Sequence, residues 1–185
     1  MENKALGWFI DNYKNSLRDV TLCYLVDRDS NSILIAMKKR GFGKGKYNGV
    51  GGKLQDGEII EQAMIRETYE EIGVRPSTYK KVAELSFYFG GSRPNPDFNQ
   101  KVHVFISESW DGKPLESEEM KPEWVKIDNI PLERMWADDK YWLPEVLKGK
   151  YVEAAFLFGD NEKITDMKIG YKADWLLKNL KSKNQ

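Results

Sequence analysis

The segment "GGKLQDGEIIEQAMIRETYEEIGV", Gly51 to Val74, sets five glutamates and one arginine in a stretch otherwise fit to be a helix. The helix is expected from about Ile59 to Ile72, with Ile59, Ala63, Met64, Ile65 and Ile72 as its apolar part and Gly73 as its stop. Glu67, Glu70 and Glu71 stand at spacings i, i+3 and i+4, so their carboxylates project from neighbouring positions. Like charges so placed repel by roughly 0.2–0.5 kcal/mol per pair. A solvated acidic face is one reading of this crowding, and a bound divalent cation that offsets the repulsion is the other. Asp56 and Glu58 fall at the N-terminal end, where the helix dipole favours negative charge.

Upstream, "RGFGKGKYNGVGG" carries six glycines and is expected to be irregular backbone. Before it, "VTLCYLVDRD" and "ILIAMKK" read as strands joined by the turn "SNS". Beyond the helix come strand-like "KVAELSFYFG", a loop "GSRPNPDFNQ", strand-like "KVHVFISESW", a polar loop and a short strand "EWVKI". "DNIPLERMWADDKYWLPEVLKG" suggests short helices around a loop, and "YVEAAFLFGDNEKITDMKIG" a hairpin turning near Gly159 to Asn161. Strands on both sides of an interposed helix make this an α/β domain with a mixed sheet. Leu6, Phe9, Ile10, Tyr13 and Leu17 give residues 1–19 the spacing of an amphipathic helix, suited to covering a sheet edge or to pairing two copies. Residues 20–170 form the central domain, and 171–185, "YKADWLLKNLKS" and its end, a final helix.

The chain has 185 residues, enough for one domain with extensions, and Lys+Arg and Asp+Glu both number 29. A net charge of zero gives no electrostatic footprint for a nucleic-acid polymer or an anionic membrane. A single cysteine, Cys23, excludes an intrachain disulfide framework, and it and the lone His103 lie in strand-like runs that suit packing rather than chemistry. No stretch approaches the ~20 apolar residues of a membrane span, and the N-terminus lacks a signal peptide's apolar core. A cytoplasmic monomer is the expectation, with nuclear or mitochondrial pools, or a dimer through the terminal helices, as alternatives.

From Gly52 the residues run Gly, five others, Glu58, seven others, Arg66-Glu67, two others, Glu70-Glu71, one other, Gly73, Val74. This pattern resembles the Nudix box, and Thr68 departs from it where a bulky aliphatic residue is usual. The resemblance implies a Nudix α/β/α sandwich and hydrolysis of a nucleoside diphosphate linked to another group. It implies a metal site of Glu67, Glu70, Glu71 and the Gly51 carbonyl, with Gly52, Glu58, Arg66 and Gly73 structural and Glu58 the partner of Arg66. Hard oxygen donors of this kind suit Mg²⁺, with Mn²⁺ as the alternative, and both ions also bind phosphate oxygens. Arg66 stays protonated and so cannot be a general base.

Outside the box, "MKKRGFGKGKYNGVGGK", "EEMKPEWVKID" and "MWADDKYWLPEVLKGK" resemble the animal-type MutT homologues, the oxidised-purine nucleoside triphosphate diphosphatases. The resemblance covers roughly Val20 to Asp166 and leaves out both ends, and the loop around "GGSRPNPDFNQ" looks longer than usual. It implies that Asn48 contacts a purine, Trp136 stacks on it, and Asp138 and Asp139 read its edge, although Ala137 stands where proline is common. Thr21, Lys38, Phe42 and Phe87 match further pocket positions, and Glu119 an additional carboxylate near the metals. Glu70 and Glu119 are both candidates for the general base. The implied substrates are 8-oxo-dGTP and 2-hydroxy-dATP, cleaved to monophosphate and pyrophosphate. Other Nudix substrates (a methylated purine triphosphate, capped RNA or a dinucleoside polyphosphate) and a catalytically silent nucleotide-binding module are the alternatives. Two adjacent aspartates beside an apolar ligand resist double ionisation, so one is expected to keep a proton and to donate while the other accepts.

Overall fold

The computed structural model describes residues 5–92 and 94–172. Its chain runs α1 (Leu6–Tyr13), β1 (Arg18–Asp27), β2 (Ser32–Lys38), β3 (Tyr47–Asn48), α2 (Ile60–Ile72), β4 (Arg75–Phe89), β5 (Gln100–Asp111), β6 (Met120–Lys126), α3 (Asp139–Leu147), β7 (Tyr151–Phe158) and β8 (Ile164–Lys172). The strands form one mixed sheet in the order β3-β2-β1-β5-β4-β7-β8, with β6 also pairing β2. Strand β1 runs parallel to β5 and β4 parallel to β7, while the other pairs are antiparallel.

Alternation along the strands sorts the core into two faces. Val20, Leu22, Leu85, Phe87, Val102, Val104, Phe156 and Phe158 point to the side covered by Trp142, Leu143 and Val146 of α3. Cys23, Leu25 and Phe105 point the other way, against Met64 and Ile72 of α2. Phe9 and Leu6 of α1 join that second side over Tyr88 and Leu157. Helices therefore cover both faces of the sheet. The N-terminal helix lies on a face of β4 and β7 rather than on a sheet edge, and the Leu6 amide is tied to Asp166 Oδ2 at 2.9 Å. Among the described residues, no helix is long and apolar enough to cross a membrane.

The sheet splits where the site forms. Strand β1 pairs with β2 only at Val26 and Asp27. Its earlier half pairs instead with the glycine-rich loop: Thr21 N–H donates to the Gly52 carbonyl at 2.8 Å and Cys23 N–H to that of Val50 at 2.7 Å. Only a residue without a side chain fits there, since a Cβ on Gly51 would stand 2.1 Å from the Thr21 carbonyl oxygen. The loop thus acts as a short strand that carries the chain from the α3 side of the sheet to the α2 side.

Two readings of the sequence need correction. Ile59 caps α2 and is largely exposed, because its extended backbone lies outside the first turn, so Ala63, Met64 and Ile72 form the buried stripe. Tyr171 and Lys172, expected to open a final helix, instead continue β8 as partners of Val152 and Tyr151. The rest of that expected helix lies outside the described residues.

Candidate active site

Helix α2 ends at Gly73, whose left-handed backbone (φ 74°) closes it with an N–H bond to the Tyr69 carbonyl. Thr68, the residue out of pattern, is fully buried and donates its hydroxyl to the Met64 carbonyl at 2.7 Å, so the helix itself satisfies it. The three acids differ sharply in setting: Glu71 is buried, Glu67 half-buried and Glu70 exposed. Glu71 Oε2 accepts from the Gly51 N–H at 3.0 Å, and Glu67 lies so close to the loop that a Cβ on Gly52 would meet its carboxylate at 2.5 Å. Burial, with Glu67 and Glu119 adding repulsion, pushes the Glu71 carboxyl up to about 7 against the opposing pull of Lys38 and the Gly51 amide.

Protein cations sit among these acids. Arg66 spans Glu58 (2.7 and 2.8 Å), Glu67 (2.8 Å), Glu70 (3.1 Å) and the Lys53 carbonyl (3.0 Å). The Arg66 hydrogen bond, helped by the Gln55 amide, holds the Glu58 carboxyl down at about 2. Lys38 Nζ, at the end of β2, stands 3.7 Å from both Glu71 and Glu119. Glu119 is also bonded to Arg40, which keeps its carboxyl below the usual range. With these pairings, no three acidic, histidine or cysteine side chains among the described residues converge on one point. The donor set is nevertheless all hard oxygen, packed against glycine backbone and bridged by two protein cations, which is the chemistry a divalent ion requires.

On the α3 side of the split lies a cleft of about 200 Å³. Thr21, Lys38, Phe42, Asn48, Phe87, Trp136, Asp138 and Asp139 all line it, as do Gly51 and Gly52. Phe42 sits 5.0 Å from Trp136 on one side and stacks at 5.1 Å, 13° from parallel, on Phe98 of the long loop on the other. Asn48 has its oxygen engaged by Tyr24 Oη (3.1 Å) and the Gly49 amide (2.9 Å), which leaves its NH₂ group with no hydrogen-bond partner among the described residues. Asp138 accepts from Trp142 Nε1 at 2.9 Å, and Asp139 from the Trp136 amide at 2.8 Å. Both aspartates are buried, and desolvation raises them: Asp138 to about 6, and Asp139 well above its ordinary value, with the neighbouring charge of Asp138 adding to it.

The structure therefore places Lys38 at the junction of cleft and acids, with Glu67, Glu70, Glu71 and Glu119 beyond it rather than in the cleft wall. Lys46, Phe89, Gln100 and Phe158 also line the cleft, and sequence reasoning missed them. Lys46 Nζ lies 5.0 Å over the Trp136 ring and 3.1 Å from Glu162, two contacts that no local pattern announces. For Gln100 a signal was available, as it stands two residues before the inward-facing Val102. Cys23 and His103 are packed in the sheet: burial pushes the thiol up to about 12, and His103 Nε2 lies 2.7 Å from Asp19.

The arrangement joins an acidic helix, a glycine loop wedged against β1 and an aromatic cleft, and the family model of the NUDIX domain matches residues 16–146. The chain belongs to the NUDIX family. It is 44% identical over 137 residues to an "Oxidized purine nucleoside triphosphate hydrolase" of Danio rerio, covering 74% of this chain and 85% of that one. It is 46% identical over 132 residues to the protein of the same name from Mus musculus, covering 71% and 82%. In fold it is similar to a MutT protein from Bacillus halodurans, with a TM-score of 0.71 and 24% identity, covering 83% of this chain and 97% of that one. NUDIX hydrolases generally use a divalent metal.

Proposed function

We propose that this NUDIX protein hydrolyses oxidised purine nucleoside triphosphates, such as 8-oxo-dGTP and 2-hydroxy-dATP, to the monophosphate and pyrophosphate, with Mg²⁺ as its metal and Mn²⁺ as a substitute. One observation carries the reading. Eight residues from five separate parts of the chain, each matching a base-pocket position, line a single cleft that meets the acidic face at Lys38. The animal relatives named for this reaction share the domain at 44% and 46% identity.

Glu67, Glu70, Glu71, Glu119 and the Gly51 carbonyl would hold the metal, which when bound neutralises charge on the phosphates and lowers the pKa of water. The other steps belong to the chain. Trp136 offers the base the largest aromatic face available, and such stacking is worth ~1–3 kcal/mol. Asn48 donates its free NH₂ group. The buried, raised pair Asp138 and Asp139 shares a proton at neutral pH, so that one donates and the other accepts. Exchange of that proton between them lets one pocket accept both oxidised guanine and oxidised adenine. Lys38 neutralises the phosphate nearest the cleft. Glu70 and Glu119 are the candidates to take the proton of the attacking water.

The test is relative kcat/KM for 8-oxo-dGTP, 2-hydroxy-dATP, O6-methyl-dGTP and dGTP, followed by pyrophosphate release with magnesium. The oxidised purines are expected to lead dGTP. Equal rates on all four, or turnover only of a capped RNA or dinucleoside polyphosphate, reassigns the substrate, and nucleotide binding without turnover makes the domain a silent binding module. If Asp138→Asn and Asp139→Asn both leave the oxidised-to-normal preference unchanged, the shared proton is not the source of breadth.

A further inference from the structure

Gln100 opens β5 and lines the cleft. Its partner across the sheet is Phe87, and Val102 follows two residues on. Side chains at i and i+2 share a face, and so do register partners, which sets Gln100 on the same apolar floor as Phe87, Leu85 and Val102. The cleft's threonine hydroxyl and the oxygen of its asparagine amide are engaged: Thr21 Oγ1 lies 3.4 Å from the Gly52 carbonyl, and Asn48 Oδ1 accepts from Tyr24 and Gly49. The Gln100 amide has a hydrogen-bond partner at neither end among the described residues.

A half-buried amide in an apolar wall keeps its free energy low only through water or a ligand. A ligand that fills the cleft strips the water, so the amide must then be met by a polar group of that ligand. The aromatic surroundings say which part arrives. Phe89 stacks on Phe158 at 5.2 Å, and Phe158 meets Trp136 at 6.0 Å, a lining suited to a flat base. The charged phosphates belong at the other end, with Lys38 and the acids. We propose that Gln100 is a specificity-determining residue whose side-chain amide hydrogen-bonds the purine base; this rests on the reading of the cleft as a purine nucleotide site. An amide carries both a donor and an acceptor on one planar group, so it reports on which of the two a base edge presents.

The test is Gln100→Met in the full chain, which keeps the side chain's length and removes both polar atoms. Expected is a rise in KM of about three- to tenfold for the preferred oxidised purine triphosphate, with kcat little changed. The ratio of kcat/KM among 8-oxo-dGTP, 2-hydroxy-dATP and dGTP shifts at least about threefold, and Tm is level or higher. Gln100→Ala, which removes the amide without adding bulk, must reorder the same three substrates. Ratios held within about twofold in both variants overturn the proposal, because a residue that only shapes the floor weakens all bases alike. A wild-type protein that hydrolyses no purine triphosphate overturns the parent reading and this one with it.

Discussion

Asp138 offers the sharpest quantitative check, because burial outweighs the Trp142 hydrogen bond in setting its carboxyl. Its carboxyl ordinarily titrates at 3.8 and in the folded chain at about 6. Between those values the folded state holds a proton that the unfolded chain has released, so stability falls as pH rises from 3.8 through 6 and stays lower above. At about 1.4 kcal/mol per pH unit, the folded state gives up about 3 kcal/mol. Asp138→Asn removes the titration and keeps an oxygen to accept the Trp142 indole N–H, now bonded at 2.9 Å. In a chain of this size each kcal/mol moves Tm by about 2–4 °C, so the variant gains roughly 6–12 °C above pH 7. Thermal unfolding of both proteins, free of nucleotide and metal, is compared from pH 4.5 to 8.5. The difference in Tm is expected to be about a third of its final size at pH 4.5, rising to a plateau by pH 7. A flat difference, or a variant less stable than wild type at pH 8, refutes the idea that this carboxyl is buried at a cost.

Three further outcomes follow from the acidic face and its loop. Glu71→Gln is expected to lower kcat by at least about a hundredfold while Tm does not fall, since the change relieves a buried acid; rate and melting curve together decide it. Gly51→Ala must push a Cβ off the Thr21 carbonyl 2.1 Å away, which costs about 2–3 kcal/mol and appears as a lower midpoint in urea. Arg66→Lys cannot reproduce the fork that spans Glu58, Glu67 and Glu70. The depressed Glu58 stabilises the fold above its ordinary 4.5 and stops doing so as pH falls through about 2. The lysine variant should therefore be less stable at neutral pH, with the gap closing as the solution is acidified towards pH 2.

Much of this fold could be read locally. Strand-like apolar runs marked β1, β2, β4 and β5, and the spacing of Ala63, Met64 and Ile72 with Gly73 after them marked α2, because each signal lies within a few residues of what it specifies. What escaped notice depends on distant partners. Nothing between Gly41 and Gly52 announces that this stretch completes the edge of β1, since the partners Val20 and Cys23 lie about thirty residues earlier. Lys46 read as one basic residue among several, and its place over Trp136 is set by a contact between residues 90 positions apart in the chain. Tyr171 and Lys172 carry a helix-like pattern into what β7 recruits as a strand, so tertiary pairing overrode local preference.

The unequal exposure of the three acids has a mechanistic consequence within the proposed reading. Glu71 is fixed by burial and by the Gly51 amide, and Glu67 by Arg66 and by the closeness of Gly52. Glu70 is held by a single exposed i,i+4 bond to Arg66, a kind of pair worth only about 0.3–0.5 kcal/mol. It is thus the acid that can turn away from its guanidinium at least cost when a cation arrives, while Arg66 stays anchored on Glu58 through two bonds. Lys38 has the complementary freedom. Its ammonium is 3.7 Å from Glu71 and Glu119, beyond hydrogen-bond reach, so it can leave them for a phosphate once another cation neutralises that pair. The fold therefore keeps two acids rigid and leaves one acid and one lysine loosely held, which lets the protein's own cations balance the acidic face until a metal and a triphosphate take their places.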